Sequence, residues 1–223
     1  MTKLALLHTV VWLTDAIEDL CVEMMPEVTT YNIVDESLLR DAIELGELTP
    51  EIYAKIASYA VGAERGGCDA LLVTCSSISP CVDIAQKLVH VPVLKIDEAM
   101  ADKAVETGEQ IAVVATLHST LDPTTQLVKQ RARVLGKEVS IRAVLCEGAF
   151  EAASSGDTGQ HDRLVSETLR DLGDNVDVIV LAQASMARVL DDMAEEDKKV
   201  PILTSPRLGV ARAKQVLTGG TQA

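Results

Sequence analysis

Aromatic side chains are scarce in this chain of 223 residues, because phenylalanine, tyrosine and tryptophan together make up 2% of it. Since 48% of the residues are nevertheless hydrophobic, leucine, valine, isoleucine and alanine must fill the core. Side chains of this size suit helices that pack closely on a sheet. The composition therefore predicts a folded α/β protein and argues against a disordered chain.

Paired cysteine motifs and long apolar runs are also absent. The chain has five cysteines, an odd number, and no CxxC pair, which argues against a disulfide framework and a zinc ligand set. No apolar run approaches the roughly 18 residues that a membrane span needs. The opening MTKLALLHTV predicts a strand rather than a signal peptide. We therefore expect a cytoplasmic protein with no membrane partner.

Positive charge is in deficit, with 20 Lys and Arg against 34 Asp and Glu and a formal net charge of −14. This balance argues against nucleic acid and anionic membranes as partners. A small anionic substrate stays compatible with it, because helix N-termini bind anions even in acidic proteins. No glycine-rich phosphate loop, dinucleotide fingerprint or HExxH motif occurs, so the sequence predicts neither a cofactor nor a metal.

Short apolar runs alternate with longer helical patterns along the chain. The predicted strands cover residues 3–8, 29–34, 70–75, 91–96, 110–116, 139–145, 177–183 and 200–204. The predicted helices cover residues 14–24, 36–45, 50–65, 78–88, 98–107, 122–135, 160–172, 185–194 and 207–217. Because the apolar runs are continuous, both faces of the strands are expected to be covered, as in parallel sheets.

The second half of the chain repeats the first. CDALLVTCSSIS at 68–79 matches VDVIVLAQASMA at 176–187, and KLALLHT at residue 3 matches QIAVVAT at residue 110. VPVL at 91 matches VPIL at 200, so three landmarks keep one order and nearly one spacing. We predict an α/β fold of two lobes, each a four-stranded parallel sheet flanked by helices. Residues 1–97 plus 206–223 would form the first lobe and 98–205 the second, because the last helix is expected to return to the first lobe.

Cys75, in the segment LLVTCSSISP, is the best candidate for chemistry. Ligands of parallel α/β sheets bind beyond the carboxyl ends of the strands, which we expect the two lobes to bring together in one cleft. Cys75 precedes a predicted helix whose positive N-terminus would lower the pKa of a thiol. The helix amides with Ser76 and Ser77 would hold a carboxylate or enolate oxygen. The alternative is that Cys75 is a small buried core residue.

The equivalent turn of the second lobe carries Gln183 and Ser185. Gln183 cannot act as an acid or base, but it can hydrogen-bond a substrate oxygen. Near the end of the strand at 110–116, Thr116 and Thr120 are expected to bind an oxyanion, with ordinary helix capping as the alternative. Ser185 is expected to contact the substrate as well.

The two histidines near strand ends differ in their predicted roles. His8 ends the first strand and is expected by symmetry to face the cleft, whereas His118 is either a titrating site residue or an exposed loop histidine. Asp35 is predicted to cap the helix that follows it. The remaining cysteines are interpreted as structural: Cys21, Cys68, Cys81 and Cys146.

These segments resemble the aspartate/glutamate racemase superfamily, which includes amino-acid and hydantoin racemases, maleate isomerase and arylmalonate decarboxylase. The resemblance covers almost the whole chain and is carried by CDALLVTCSSISP, IVDESLL at 33–39, IAVVATLHSTLDPT at 111–124, VDVIVLAQASMARV and VPILTSPRLGV at 200–210. It implies two pseudo-symmetric α/β lobes with the active site between them, and chemistry without a cofactor. It also implies a small carboxylate substrate and a homo-oligomer, because members are often dimeric or larger.

Racemases of this kind look like two-base enzymes, in which a cysteine from each lobe flanks the substrate α-carbon. Cys75 matches the first-lobe cysteine, but Gln183 stands where the second-lobe pattern LGCT has its cysteine. His8 and Thr9 replace the Asp-Ser that follows the first strand in glutamate racemases, and Ser185 replaces a histidine. The resemblance therefore implies a site with a single thiol.

Three functions stay open with one thiol. The first, which we predict, is a racemase-like isomerase that acts on an amino acid or related acid, with Cys75 as acid, base or nucleophile. The second is a decarboxylase or other lyase, similar to arylmalonate decarboxylase, whose single cysteine lies in the other lobe. The third is a binding protein that has lost catalysis and kept the carboxylate pocket.

Overall fold

The computed structural model describes residues 2–219 of the chain. They fall into two compact units. Unit 1 runs up to Asp97 and resumes at Pro206, and unit 2 is Glu98–Ser205. Each unit contains one four-stranded sheet, and the alternation of strands and helices agrees with the α/β prediction.

Unit 1 is built on four parallel strands in the order β2-β1-β3-β4. These are β1 (Lys3–His8), β2 (Thr29–Val34), β3 (Ala70–Val73) and β4 (Val93–Lys95). Its helices are α1 (Thr14–Met24), α2 (Glu36–Leu45), α3 (Pro50–Arg65) and α4 (Val82–Ala85), with 3-10 turns at Val11–Leu13, Ser76–Cys81 and Gln86–Leu88. Every residue of β3 is buried, as the continuous apolar run of this strand predicts.

Unit 2 repeats this order as β6-β5-β7-β8, again with parallel strands. The strands are β5 (Gln110–Ala115), β6 (Ser140–Leu145), β7 (Val178–Leu181) and β8 (Ile202–Thr204). The helices are α5 (Glu98–Thr107), α6 (His118–Val134), α7 (Ala149–Ser154), α8 (Thr158–Leu172) and α9 (Val189–Asp192), with 3-10 turns at Ala184–Met186 and Glu195–Asp197. The identical strand order confirms the predicted fold of two equivalent sheets.

The last helix, α10 (Ser205–Thr218), belongs to unit 1 from Pro206 onward. Arg207 of α10 pairs with Glu23 of α1 at 2.5 Å, and the Lys214 ammonium donates to the Met24 carbonyl. Gly209 packs so closely on Ile96 that an added Cβ would lie 2.4 Å from the Ile96 carbonyl oxygen. The helix is therefore fixed against the end of β4.

The repeat extends to single hydrogen bonds at the start of the central strands. Asp69 Oδ2 accepts from the Lys3 amide at 2.7 Å, and Asp177 Oδ2 accepts from the Gln110 amide at 2.8 Å. Each aspartate precedes the third strand of its unit and binds the first residue of the first strand. The aspartates that mark the sequence repeat thus have one structural role in both units.

The structure corrects two of the predicted helices. All eight predicted strands are present, but the helix expected at 78–88 is a 3-10 turn, the short α4 and another 3-10 turn. Pro80 lies inside the first of these turns and has no N–H to donate. The helix expected at 185–194 is likewise a 3-10 turn followed by the four-residue α9. The short α7 lies in a segment for which no helix was predicted.

The structure contains no membrane-spanning candidate in the part it describes. None of the helices within residues 2–219 has the length and apolar character required to cross a bilayer.

Candidate active site

Cys75 lies directly beyond the carboxyl end of β3. Its backbone is extended (φ −123°, ψ 119°), and the 3-10 turn Ser76–Cys81 begins at the next residue. Cys75 is partly exposed, whereas the other four cysteines are buried, and all five are free thiols. Cys75 is therefore less enclosed than the other four cysteines, although it packs against the hydrophobic core of unit 1.

Four groups of unit 1 favour the thiolate form of Cys75, namely the hydroxyl groups of Thr9 and Ser77 and the backbone amides of Ser77 and Ile78. The Ile78 amide also donates to the Cys75 carbonyl oxygen at 3.3 Å. Burial among the surrounding protein atoms raises the pKa of Cys75 above its ordinary value, while these four contacts act in the opposite direction. The free protein thus holds a thiol whose thiolate form already has its donors in place.

The predicted lowering of the Cys75 pKa is wrong. That prediction assumed an α-helix beginning at this turn, whose summed backbone dipole would favour a thiolate. The 3-10 turn that begins there is six residues long and contains a proline. Desolvation of the thiolate is therefore the larger effect.

The two serines that follow Cys75 point to different partners. Ser77 acts on the thiol, whereas the Ser76 hydroxyl acts on the carboxyl group of Asp97. Ser79 also donates to Asp97, with 2.7 Å between Ser79 Oγ and Asp97 Oδ1. Asp97 was not among the predicted site residues; the one sign of it in the sequence is an acidic residue two positions beyond the strand that ends at Lys95.

His8 is fully buried, and both of its ring nitrogens have partners. Nε2 lies 3.0 Å from Asn32 Oδ1, and Nδ1 lies 2.9 Å from Thr74 Oγ1. Burial lowers the pKa of His8, although the hydrogen bond to Asn32 and the charge of Glu18 oppose this. The Thr74 hydroxyl also donates to the Leu7 carbonyl oxygen at 3.0 Å, so its single proton is shared between that oxygen and His8 Nδ1.

This pairing changes the predicted role of His8. The expectation was a substrate contact, but the ring instead joins β1 to Asn32 of β2 and to Thr74, the neighbour of Cys75. Asn32 in turn donates to Glu18 of α1 at 3.1 Å. His8 therefore connects Asn32, which is bound to Glu18 of α1, with Thr74, the residue that precedes Cys75.

In unit 2, Gln183 occupies the position that corresponds to Cys75. Its Oε1 accepts from the Thr116 amide at 2.6 Å and from the Thr116 hydroxyl at 3.0 Å. Its Nε2 group donates to no residue within 2–219, and the side chain is partly exposed. Gln183 is thus held by its oxygen and presents two N–H donors.

The Thr116–Gln183 contact repeats the Thr9–Cys75 contact of unit 1. Thr9 and Thr116 are equivalent residues directly after β1 and β5, and Cys75 and Gln183 are equivalent residues after β3 and β7. In each unit the threonine hydroxyl hydrogen-bonds the residue beyond the third strand. The two units therefore share this threonine hydrogen bond and differ in the residue that receives it, which is a thiol in unit 1 and an amide in unit 2.

The remaining predicted residues of unit 2 lie around the first turn of α6 and on the 3-10 turn after β7. Leu117 is the N-cap residue of α6, so the capping alternative for Thr116 and Thr120 is wrong. Thr120 is buried and His118 is exposed at the first position of the helix. Ser119 Oγ is buried and has no hydrogen-bond partner among residues 2–219, and Ser185 is half-buried.

Two further predictions concern Asp35 and metal binding. Asp35 caps α2 as predicted, because its side chain accepts from the Ser37 amide at 2.9 Å. Within residues 2–219 no group of three His, Cys, Asp or Glu side chains is arranged as a metal ion would require.

Solved structures with this fold come from racemases of different substrates. A glutamate racemase from Bacillus anthracis matches with a TM-score of 0.72 and 16% identity, over 98% of this chain and 82% of that chain. An allantoin racemase from Klebsiella pneumoniae matches with a TM-score of 0.70 and 16% identity, over 99% and 89%. An aspartate racemase from Picrophilus torridus matches with a TM-score of 0.69 and 13% identity, over 97% and 94%.

Identities this low establish the fold alone, and sequence comparison with curated proteins finds no significant match. The family model described as Asp/Glu/Hydantoin racemase, by contrast, matches residues 7–213. That range includes both sheets from the end of β1 onward, together with Cys75 and Gln183. The chain belongs to the Asp/Glu/hydantoin racemase family.

Proposed function

We propose that this protein is a racemase-like isomerase that acts on a small carboxylate, either an amino acid or a related acid, and that Cys75 transfers the proton. The observation that carries the proposal is the convergence of two hydroxyl groups and two backbone amides on the one partly exposed thiol. A structural cysteine has no need of four donors. A thiolate that forms during turnover does need them.

The proposed reaction is a proton transfer at the carbon next to the substrate carboxylate. The Cys75 thiolate takes the α-proton, and the electron pair of the broken C–H bond moves into the carboxylate to give an enediolate. Collapse of the enediolate then takes a proton back onto carbon. The donors from Thr9, Ser77 and Ile78 stabilise the thiolate on either side of this step. The scheme uses no cofactor.

Donors of unit 2 would hold the substrate oxygens. Gln183 has two N–H groups without a partner in the described chain, and Thr116 fixes its orientation. The N-terminus of the 17-residue α6 offers backbone amides beside the unpartnered Ser119 hydroxyl. We assign oxygen binding to Gln183 and to this helix end, with Thr116 as the group that orients Gln183, and Ser185 and Thr120 beside them.

A single thiol has a consequence for the stereochemistry of the reaction. A thiol that removes a proton from one face of a planar enediolate returns a proton to that same face. Because the amide N–H groups of Gln183 are far too weakly acidic to give up a proton at neutral pH, Gln183 cannot protonate the other face. Exchange of the α-proton with solvent should therefore be faster than inversion.

The experiment that tests the proposal compares Cys75→Ser with Cys81→Ser. Cys81 is a buried cysteine of the same turn, and burial raises its pKa to about 12, so it is a matched control. A panel of amino acids, hydantoins, allantoin and disubstituted malonates is followed by chiral chromatography and by carbon dioxide release. We expect Cys75→Ser to lose at least about a hundredfold in turnover of the substrate found, as removal of a proton-transfer group does.

Other results would contradict the proposal. Equal turnover by Cys75→Ser and the parent protein would exclude Cys75 as the reacting group. Carbon dioxide release without isomerisation would assign a lyase instead. Binding of acids by calorimetry, without turnover of any of them, would assign a binding protein.

A further inference from the structure

Asp97 is a fully buried carboxyl group that the proposed proton transfer does not use. It is 0% exposed, and Ser79 Oγ donates to its Oδ1 at 2.7 Å. Its Oδ2 is buried without a hydrogen-bond partner among residues 2–219. Burying a carboxyl group in this way is costly, so its retention calls for a physical reason.

Asp97 and Cys75 follow neighbouring strands. In the parallel pair of β3 and β4, Val73 lies opposite Lys95, and the Ile96 amide donates to the Val73 carbonyl at 3.0 Å. Both strands end there, so Cys75 and Asp97 each lie two residues beyond a strand end. The hydrogen bond from Ser79 then joins the Asp97 carboxyl group to the turn that follows the thiol.

That turn needs support from outside itself. Ser76–Cys81 is a six-residue 3-10 segment, and runs longer than three or four residues are uncommon because their hydrogen-bond geometry is poor. Pro80 removes one backbone donor from it. The buried Ser79 hydroxyl donates to Asp97 at 2.7 Å, so Asp97 anchors the turn to the segment that follows β4.

We propose that Asp97 is a positioning residue for Cys75: by accepting a hydrogen bond from Ser79 it holds the Ser76–Cys81 turn in the form that keeps the Ser77 and Ile78 amides beside the thiol. The inference rests on the proposed role of Cys75 as the reacting group. Asp97 itself does not touch the substrate in this account.

The uncharged form of the carboxyl group suits this role. Burial raises the pKa of Asp97, against the opposing influence of Ser79, Ser76 and Lys95. Lys95, the charged group that acts on Asp97, is itself paired with Asp83 at 2.7 Å. Protonation of the carboxyl group leaves Oδ1 able to accept from Ser79.

The test is the pH profile of Cys75 alkylation by iodoacetamide, measured on the folded protein by mass spectrometry of the Cys75 peptide. Asp97→Asn keeps the Oδ1 acceptor and carries no charge. The pH profile of Cys75 alkylation in this variant should therefore match that of the parent protein. Asp97→Ala removes the anchor, and we expect alkylation near neutral pH to slow by about tenfold, which corresponds to a rise of about one unit in the thiol pKa.

Ser79→Ala is a second variant that removes the 2.7 Å bond with a smaller loss of volume, and it carries the test if Asp97→Ala does not fold. It should slow alkylation in the same direction. Ser58→Ala is the matched control, because Ser58 bonds only a carbonyl of its own helix, α3, and should leave the profile unchanged.

Two outcomes would overturn the proposal. Parent-like profiles in the anchor variants that fold would show that Asp97 does not position Cys75. Faster alkylation of Asp97→Asn would show that Asp97 is charged and acts on the thiol through its charge. Because alkylation needs no substrate, these results are distinct from loss of the proposed function, which is decided by turnover of Cys75→Ser.

Discussion

At the scale of single residues, the two units repeat one hydrogen-bond arrangement and differ in one side chain. Thr9 and Thr116 each hydrogen-bond the residue beyond the third strand, which is a thiol in unit 1 and an amide in unit 2. A thiol can give up a proton, and an amide can only donate or accept a hydrogen bond. The proposed chemistry therefore depends on Cys75 and the proposed binding on Gln183.

His8 should make the stability of the protein sensitive to mild acid. Burial lowers its pKa in the folded state below the ordinary value of about 6.5, so the unfolded chain binds the proton more readily. The stabilisation is complete above about pH 6.5 and is lost as the pH falls toward the lower folded value. Urea unfolding of the parent protein should show a lower free energy of unfolding at pH 5.5 than at pH 7.5.

His8→Gln should be less stable than the parent protein at pH 7.5 and should lose less on acidification, because Gln does not titrate. His118→Gln is the matched control, since the His118 side chain is exposed. An equal loss of stability on acidification in His8→Gln and the parent protein would contradict this account.

Asp97 should act on stability in the opposite direction. Its pKa is raised in the folded state, so the unfolded chain releases the proton first and stability falls as the pH rises above the unfolded value of about 3.9. The free energy of unfolding of Asp97→Asn, relative to the parent protein, should therefore increase from pH 4 to pH 8. Urea unfolding across this range measures it, with Asp19→Asn as the exposed control. A difference that does not change with pH would show that the Asp97 pKa is unshifted.

At the scale of elements, the turns that carry the site were the least predictable part of the chain. The strands were predictable because continuous apolar runs bounded by turns have few other structures available. The segments after β3 and β7 have helical composition, yet both form 3-10 turns. Their form depends on contacts distant in sequence, such as that of Ser79 with Asp97, which no local pattern contains.

The end of β4 also depends on the close approach of α10. A Cβ at Gly209 would lie 2.4 Å from the Ile96 carbonyl oxygen, a backbone atom that cannot move independently. Gly209→Ala should therefore destabilise the protein by about 1–3 kcal/mol, as overpacking of a core does. Urea or thermal unfolding provides the measurement.

Gly62→Ala is the matched control for this substitution. Gly62 lies inside α3, and an added Cβ there meets nothing within 4 Å. Alanine should stabilise that helix by about 0.5–1 kcal/mol. Destabilisation of the two variants by equal amounts would show that contact with Ile96 is not the cause.

At the scale of the whole molecule, the internal repeat was the feature most readily recovered from sequence. It predicted two sheets of the same order and equivalent positions for Cys75 and Gln183, because the spacing of strands is set by the fold. It could not predict that His8 is enclosed or that the Cys75 pKa is raised. Both depend on how many atoms surround a group, which a sequence does not record.

Gln183→Cys should place a second thiol at the position of unit 2 that corresponds to Cys75. The family resemblance assigns a thiol to each of these equivalent positions in racemases that use two bases. The variant should raise the ratio of inversion to α-proton exchange by at least about tenfold, because a second proton-transfer group becomes available. Gln183→Ser is the control, because serine is similar in size to cysteine but has no thiol. It should leave the ratio of inversion to exchange low. Equal ratios in the two variants would contradict the equivalence.

The most direct test of the single-thiol account is proton exchange in deuterium oxide, followed by NMR on one enantiomer of the substrate. The account predicts that deuterium enters the α-position of the recovered starting enantiomer faster than the opposite enantiomer forms, and that Cys75→Ser abolishes this entry. Deuterium confined to the inverted product, formed as fast as the α-proton is lost, would show that a second proton-transfer group acts and would contradict the account.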